Sequence, residues 1–140
     1  MSNLNKIKIF LVDDDAVYLK FLELEFIRQG EFTVETYATG ELCIARLPQN
    51  PDIIILDYFL NSVDKRAMNG IDTLDKIKAF NPAIPVIILS CQENIDIATN
   101  CIKHMAYDYV LKNEMAFMCL QNIIATICML KKIENKFYLA

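Results

Sequence analysis

The sequence predicts a single α/β domain, a parallel sheet doubly wound from five β-α repeats. Ile9–Val12 (IFLV), Ile53–Leu56 (IIIL) and Val86–Leu89 (VIIL) are short, continuous, β-branched apolar runs. Runs without alternation mark strands covered by helices on both faces. Between them lie segments with apolar residues at helical spacing. Strand and helix alternating in this way give right-handed crossovers and a parallel sheet.

Each element has its own signal. After the first strand, Val17, Phe21, Leu24 and Ile27 or Arg28 follow helical spacing, and Gly30 closes the helix. Thr33–Tyr37 (TVETY) is a weaker second strand. Gly40–Leu47 is a short second helix stopped by Pro48 and Pro51. Ile71, Leu74, Ile77 and Lys78 build a third helix that ends before Asn81-Pro82. Ile95–His104 is the fourth, and Tyr109–Leu111 (YVL) is the last strand. Glu114–Lys132 is a long fifth helix, with lysines at the end its dipole favours. The core is expected over about residues 6–130 of one domain spanning 1–140, with a short tail, Glu134–Ala140, that frays.

Composition narrows the function. With 54% apolar residues in 140, the chain can build a core and is not a disordered linker. Fourteen basic against eighteen acidic side chains leave a net charge of −4, which disfavours nucleic-acid binding by bulk charge. No apolar run approaches a membrane span, and no secretory signal opens the sequence. Cys43, Cys91, Cys101, Cys119 and Cys128 are odd in number, lack a C-x-x-C pair and lie among apolar residues. They are expected to be buried, reduced thiols of a cytoplasmic protein.

In such sheets ligands sit beyond the C-terminal strand ends. There the first run is followed by Asp13, Asp14 and Asp15, the third strand by Asp57, the fourth by Ser90 and the fifth by Lys112. Crowded carboxylates repel, and a hard cation such as Mg²⁺ relieves them while keeping waters for a phosphate-type ligand. A lysine can hold a phosphoryl oxygen as a point charge, and a hydroxyl can donate to another. The set fits Mg²⁺-assisted phosphoryl transfer onto a carboxylate.

The segments IFLVDDDAVYL, IIILDYFL, MNG, VIILSCQ and YDYVLKN together resemble a response-regulator receiver domain of two-component signalling. The resemblance implies a flavodoxin-like fold with strand order 2-1-3-4-5, an order the chemotaxis receivers share. It also implies roles. Asp57 is the phosphoacceptor. Asp14 ligates Mg²⁺ directly, as do Asp57 and the backbone carbonyl of Phe59, and Asp13 acts through water. Ser90 and Lys112 hold phosphoryl oxygens, and Ser90 with Tyr109 forms the switch. The implied donor is a histidine kinase or histidine phosphotransfer protein. The implied output is a change of protein contacts on the face of the fourth helix, fifth strand and fifth helix, including a homodimer, with no nucleic acid or membrane bound directly. Such a protein is no enzyme beyond its own Mg²⁺-dependent phosphorylation and dephosphorylation. With about ten residues after the fifth helix, a stand-alone receiver without an output domain is expected.

The chain departs from the family pattern in places. Gly70 lies thirteen residues after Asp57 rather than about eight, Asn61 stands where proline is usual, and Ser62–Ala67 (SVDKRA) lengthens the loop. Cys91 replaces a small residue after Ser90, and Asn113 replaces the proline after Lys112. Two other functions compete with this one. Asp13-x-Asp15-x-Val17 also resembles the nucleophile motif of haloacid-dehalogenase-like phosphatases, but after Lys112 the only acids are Glu114 and Glu134, and Asp57 has no role there. A degenerate, unphosphorylated receiver scaffold would not need the full set of Asp13, Asp14, Asp57, Ser90 and Lys112. Taken singly, Tyr109 also reads as ordinary packing and His104 as a structural residue at a helix end. On the fifth helix, Phe117, Leu120, Ile124 and Ile127 suffice for a core stripe. Met118, Cys119, Ile123, Cys128, Met129 and Leu130 cannot all share it, so an apolar outer patch is expected. A tail at Phe137–Leu139 folding back over the patch is the alternative to a partner.

Overall fold

A computed structural model describes residues 6–139, with side chains through Lys132. Its elements are β1 (Ile7–Val12), α1 (Ala16–Arg28), β2 (Phe32–Tyr37), α2 (Gly40–Ala45), a 3₁₀ turn (Leu47–Gln49), β3 (Ile53–Asp57), α3 (Gly70–Phe80), β4 (Val86–Ser90), α4 (Ile95–Lys103), β5 (Asp108–Leu111) and α5 (Ala116–Leu139). The sheet is parallel throughout, in the order β2-β1-β3-β4-β5. This is the expected flavodoxin-like architecture. The order reverses between β1 and β3, so the crevice for a ligand opens at the ends of those two strands.

The period of two in each strand splits the core into two layers. Phe10, Val12, Ile54, Leu56, Val86 and Ile88 face α2, α3 and α4 through Cys43, Leu74, Ile77 and Cys101. Ile9, Leu11, Ile53, Ile55, Ile87, Leu89 and Val110 face α1 and α5 through Leu22, Phe26, Leu120, Ile124 and Ile127. Phe26 anchors the second layer, edge-on to Phe32 at 5.5 Å and to Phe117 at 5.0 Å. β3 and β4 are buried along their whole length, which is why their sequences never alternate.

Three expectations change. The spacing that reveals α1 belongs to its outer face: Val17 is 81% exposed, and Phe21, Leu24 and Ile27 are about half exposed, while Leu22 and Phe26 seat the helix. Apolar residues therefore occupy both sides of α1, and periodicity alone could not choose between them. Among the cysteines, only Cys43 and Cys101 are buried; Cys91 and Cys119 are exposed and Cys128 is intermediate. Finally, α5 starts at Ala116 and continues through Leu139. The backbone of the expected tail continues this helix through Leu139, and any packing of the Phe137–Leu139 side chains over the patch lies outside the described residues. At 1.5 Å per residue, twenty-four residues span ~36 Å, far longer than the four-residue β5 beside it.

On α5, Leu120, Ile124 and Ile127 are buried and Phe117 is half-buried. Met118, Cys119, Met129 and Leu130 are exposed, with Ile123 and Cys128 half-buried. Part of the apolar surplus of α5 therefore points outward, as expected.

Candidate functional site

The chain ends of β1 and β3 bring Asp13, Asp14 and Asp57 together, with one carboxylate oxygen of each within 4.8 Å of the others. Asp13 is 3% and Asp57 4% exposed, while Asp14 is half-buried at the rim. Lys112, just past β5, reaches over the sheet edge to place its Nζ 2.7 Å from Asp13 Oδ2 and 3.3 Å from Asp57 Oδ1. One ammonium thus meets two of the three clustered carboxylates. Asp13 Oδ2 is buried and pairs with that ammonium.

The charges perturb one another. Burial first, and then the charge of Asp13, push the Asp57 carboxyl up to about 7, with Lys112 pulling the other way too weakly to prevent it. Burial alone would lower the Lys112 pKa, but Asp13 and then Asp57 outweigh it and hold the ammonium above its ordinary value. The pocket therefore carries more negative charge than its own residues neutralise. That surplus, on carboxylates whose oxygens lie within 4.8 Å of one another, fits a divalent cation with oxygen ligands.

Local structure positions each group. Asp15, the third of the run, caps α1: its Oδ1 accepts from the Val17 and Tyr18 amides at 3.1 Å each. Its own amide donates to Asp13 Oδ1 at 2.9 Å, fixing that carboxylate. Gly70 opens α3 against the end of β3. Its amide donates to Tyr58 O at 3.1 Å, and a Cβ there would stand 2.4 Å from that same oxygen. Only glycine permits this approach, so the five-residue shift from the usual spacing is absorbed in the loop and not in α3.

That loop reaches back to the site. The Ser62 and Val63 amides donate to Asp14 Oδ2 at 2.9 and 3.1 Å, and Ser62 Oγ lies 3.4 Å from the Phe59 carbonyl. Asp14, Asp15, Ala16, Asp57, Phe59, Ser62, Val63, Cys91 and Lys112 line one open cavity of about 520 Å³.

Ser90 is adjacent but lies beneath the cavity. It is fully buried at the end of β4, and its Oγ accepts from the Gln92 amide at 3.0 Å. It does not cap α4, which Asn94 does. Tyr109 stands apart from the carboxylates, on the α4 side of β5, and its hydroxyl donates to the Gln92 carbonyl at 2.5 Å. The backbone of Gln92 thus bridges Ser90 and Tyr109. His104 holds Asp75 of α3 at 2.7 Å, a structural contact away from the cavity. No cis peptide occurs among the described residues, Lys112–Asn113 included.

Sequence reading missed three contributors: the Ser62 and Val63 amides, Gln92, and Tyr18, whose ring lies 4.7 Å from the Lys112 ammonium. The amides carry no side-chain signal at all. Tyr18 had one, standing one helical turn after the cap Asp15.

The profile of the response regulator receiver domain matches residues 9–124. The transcriptional regulatory protein ZraR of Salmonella typhimurium is 33% identical over 107 residues, 76% of this chain and 23% of that protein. The two-component response regulator ORR27 of Oryza sativa subsp. japonica is 31% identical over 107 residues, 76% of this chain and 16% of its own length. This chain thus spans about a quarter or less of these curated relatives. Among solved structures, the signal receiver domain of a LuxO-type repressor protein from Vibrio parahaemolyticus aligns with TM-score 0.78 and 26% identity, covering 94% of this chain and 97% of that one. A receiver domain protein from Methanospirillum hungatei shares the fold at TM-score 0.75 and 20% identity, covering 91% and 98%. Among the described residues, no helix is long and apolar enough to cross a membrane.

Proposed function

Because this chain belongs to the response regulator receiver domain family of two-component systems, we propose that it accepts a phosphoryl group on Asp57 and so switches its protein contacts. The observation that carries this reading is the pairing of Asp57 with Lys112 and with the clustered Asp13 and Asp14 carboxylates, beside an open cavity that Asp14, Asp57 and Lys112 line.

The donor is a phosphohistidine on a histidine kinase or phosphotransfer protein. An Asp57 oxygen attacks phosphorus, an O–P bond forms as the N–P bond breaks, and the bonding pair returns to the imidazole. Asp14, Asp57 and the Phe59 carbonyl would hold Mg²⁺, with Asp13 acting through water. When bound, the ion neutralises carboxylate and phosphoryl charge. Lys112 pairs with a phosphoryl oxygen in place of its present contact to Asp57, and the Ser90 hydroxyl turns from Gln92 to donate to another. Freed from Ser90, the Gln92 backbone no longer holds Tyr109, which carries the change to α4 and β5.

The donor has a surface to approach. Val17, Phe21, Leu24 and Ile27 form an exposed apolar stripe on α1 that begins beside the cavity, where Phe59 and Val63 are also exposed. Output falls to the α4-β5-α5 face, where Ile95, Ile102, Met115 and Met118 are exposed. A homodimer or a downstream protein covers that face, in a cytoplasmic setting. Incubation with acetyl phosphate and Mg²⁺ tests the reading: the wild type gains one phosphoryl mass and Asp57→Asn gains none. A gain in the Asn variant overturns it.

A further inference from the structure

The geometry points to Tyr18 as a positioning residue for Lys112, its ring face steering the ammonium into the gap between Asp13 and Asp57. This rests on the reading of Lys112 as the group that meets a phosphoryl oxygen.

Lys112 has a long way to reach. It follows β5, the edge strand, while Asp57 and Asp13 end β3 and β1, two and three strands away. At about 4.8 Å per strand, the side chain must lie across the sheet end to span that distance. A four-carbon stem with free rotors has no preference for that path over solvent. Two carboxylates attract the ammonium from one side, at 2.7 and 3.3 Å. The Tyr18 ring meets it from another, with Nζ 4.7 Å from the ring centroid. The negative face of an aromatic ring attracts a cation at that range, more strongly where water is excluded. Water is largely excluded here, since the Lys112 side chain is 10% exposed.

Tyr18 is itself held in place. Its amide is capped by Asp15, and its ring packs on the layer formed with α1 and α5. The carboxylates alone cannot fix Lys112 during transfer, because a phosphoryl group and a cation on Asp57 compete for the same oxygens. The ring competes with nothing. It keeps the ammonium at the rim when its contact to Asp57 is exchanged for one to phosphorus-bound oxygen.

The test uses the full chain with acetyl phosphate and saturating Mg²⁺, comparing wild type, Tyr18→Phe, Tyr18→Leu, Lys112→Ala and the Tyr18→Leu/Lys112→Ala double variant. Tyr18→Phe keeps the ring and should stay within about twofold of the wild-type phosphorylation rate, whereas Tyr18→Leu should fall about fivefold with unchanged Mg²⁺ affinity. In the Lys112→Ala background, Tyr18→Leu should change nothing further. The spectroscopic signature is the ring-current shift of the Lys112 ε-protons, present in wild type and Tyr18→Phe and lost in Tyr18→Leu. A wild-type rate in Tyr18→Leu, beside an impaired Lys112→Ala, overturns the role of Tyr18 alone. So does an equal loss in the Lys112→Ala background, which would mark a merely structural residue, or a Phe variant as slow as Leu. A wild-type rate in Lys112→Ala overturns the reading of Lys112, and that of Tyr18 with it.

Discussion

Replacing Asp57 by asparagine should stabilise the metal-free protein at neutral pH, although it removes the proposed phosphoacceptor. Asp57 titrates near 3.8 when unfolded and at about 7 in the fold. A carboxyl whose pKa rises on folding favours the fold while protonated, so its contribution is intact below pH 3.8 and is lost as pH climbs to about 7. At ~1.4 kcal/mol per factor of ten, that interval sets a ceiling of about 4 kcal/mol on the penalty at pH 7.5. Asparagine escapes the penalty but forfeits the attraction of Lys112, 3.3 Å away. The expected net gain is about 2 kcal/mol, or about 1 M in urea midpoint for a domain of this size. Urea unfolding in EDTA at pH 7.5 and pH 4 measures it. The Asn variant should be the more stable at pH 7.5 and lose its advantage at pH 4. An equal or lower midpoint at pH 7.5, or the same gain at both pH values, refutes the charge argument.

Asp14→Ala should weaken Mg²⁺ binding at least tenfold by calorimetric titration, since Asp14 is the rim carboxylate of the cluster; unchanged affinity excludes it as a ligand. Deleting about five residues from the Ser62–Ala67 stretch should raise Mg²⁺ affinity about threefold, because the Ser62 and Val63 amides now occupy Asp14 Oδ2. The same deletion should hasten loss of the phosphoryl group by opening the cavity, with the fold kept. Unaltered affinity and lifetime would reduce the insertion to a passive loop. Sedimentation at several concentrations, with and without a phosphoryl mimic, should show self-association through the exposed Met118, Cys119, Met129 and Leu130 patch. A strict monomer whose partner binding survives Ile123→Glu sinks that interface.

What was legible in the sequence follows from burial. β3 and β4 are covered on both faces, so IIIL and VIIL could be nothing but central strands, and their end residues Asp57 and Ser90 were placed with them. The parallel topology then dictated that Asp13, Asp14 and Lys112 converge with Asp57. Periodicity failed on α1, because Val17, Phe21 and Leu24 repeat as well as the buried Leu22 and Phe26 do. It failed on Cys91 and Cys119, where apolar neighbours did not imply burial. The loop amides on Asp14 and the Gln92 bridge were illegible, since both are backbone contacts made across loops. Gly70 lay between these cases. The glycine was visible, but the reason for it, the Tyr58 carbonyl against which α3 begins, is tertiary.

Asp57, and not its acidic neighbours, is the proposed carrier of the phosphoryl group. An acyl phosphate is reduced by borohydride to the alcohol, converting a phosphorylated aspartate to homoserine. After treatment with acetyl phosphate and Mg²⁺, then borohydride, peptide sequencing by mass spectrometry should read homoserine at position 57 and aspartate at positions 13, 14 and 15. Homoserine at position 13 or 14, or nowhere while the intact protein carries the added mass, would contradict the account.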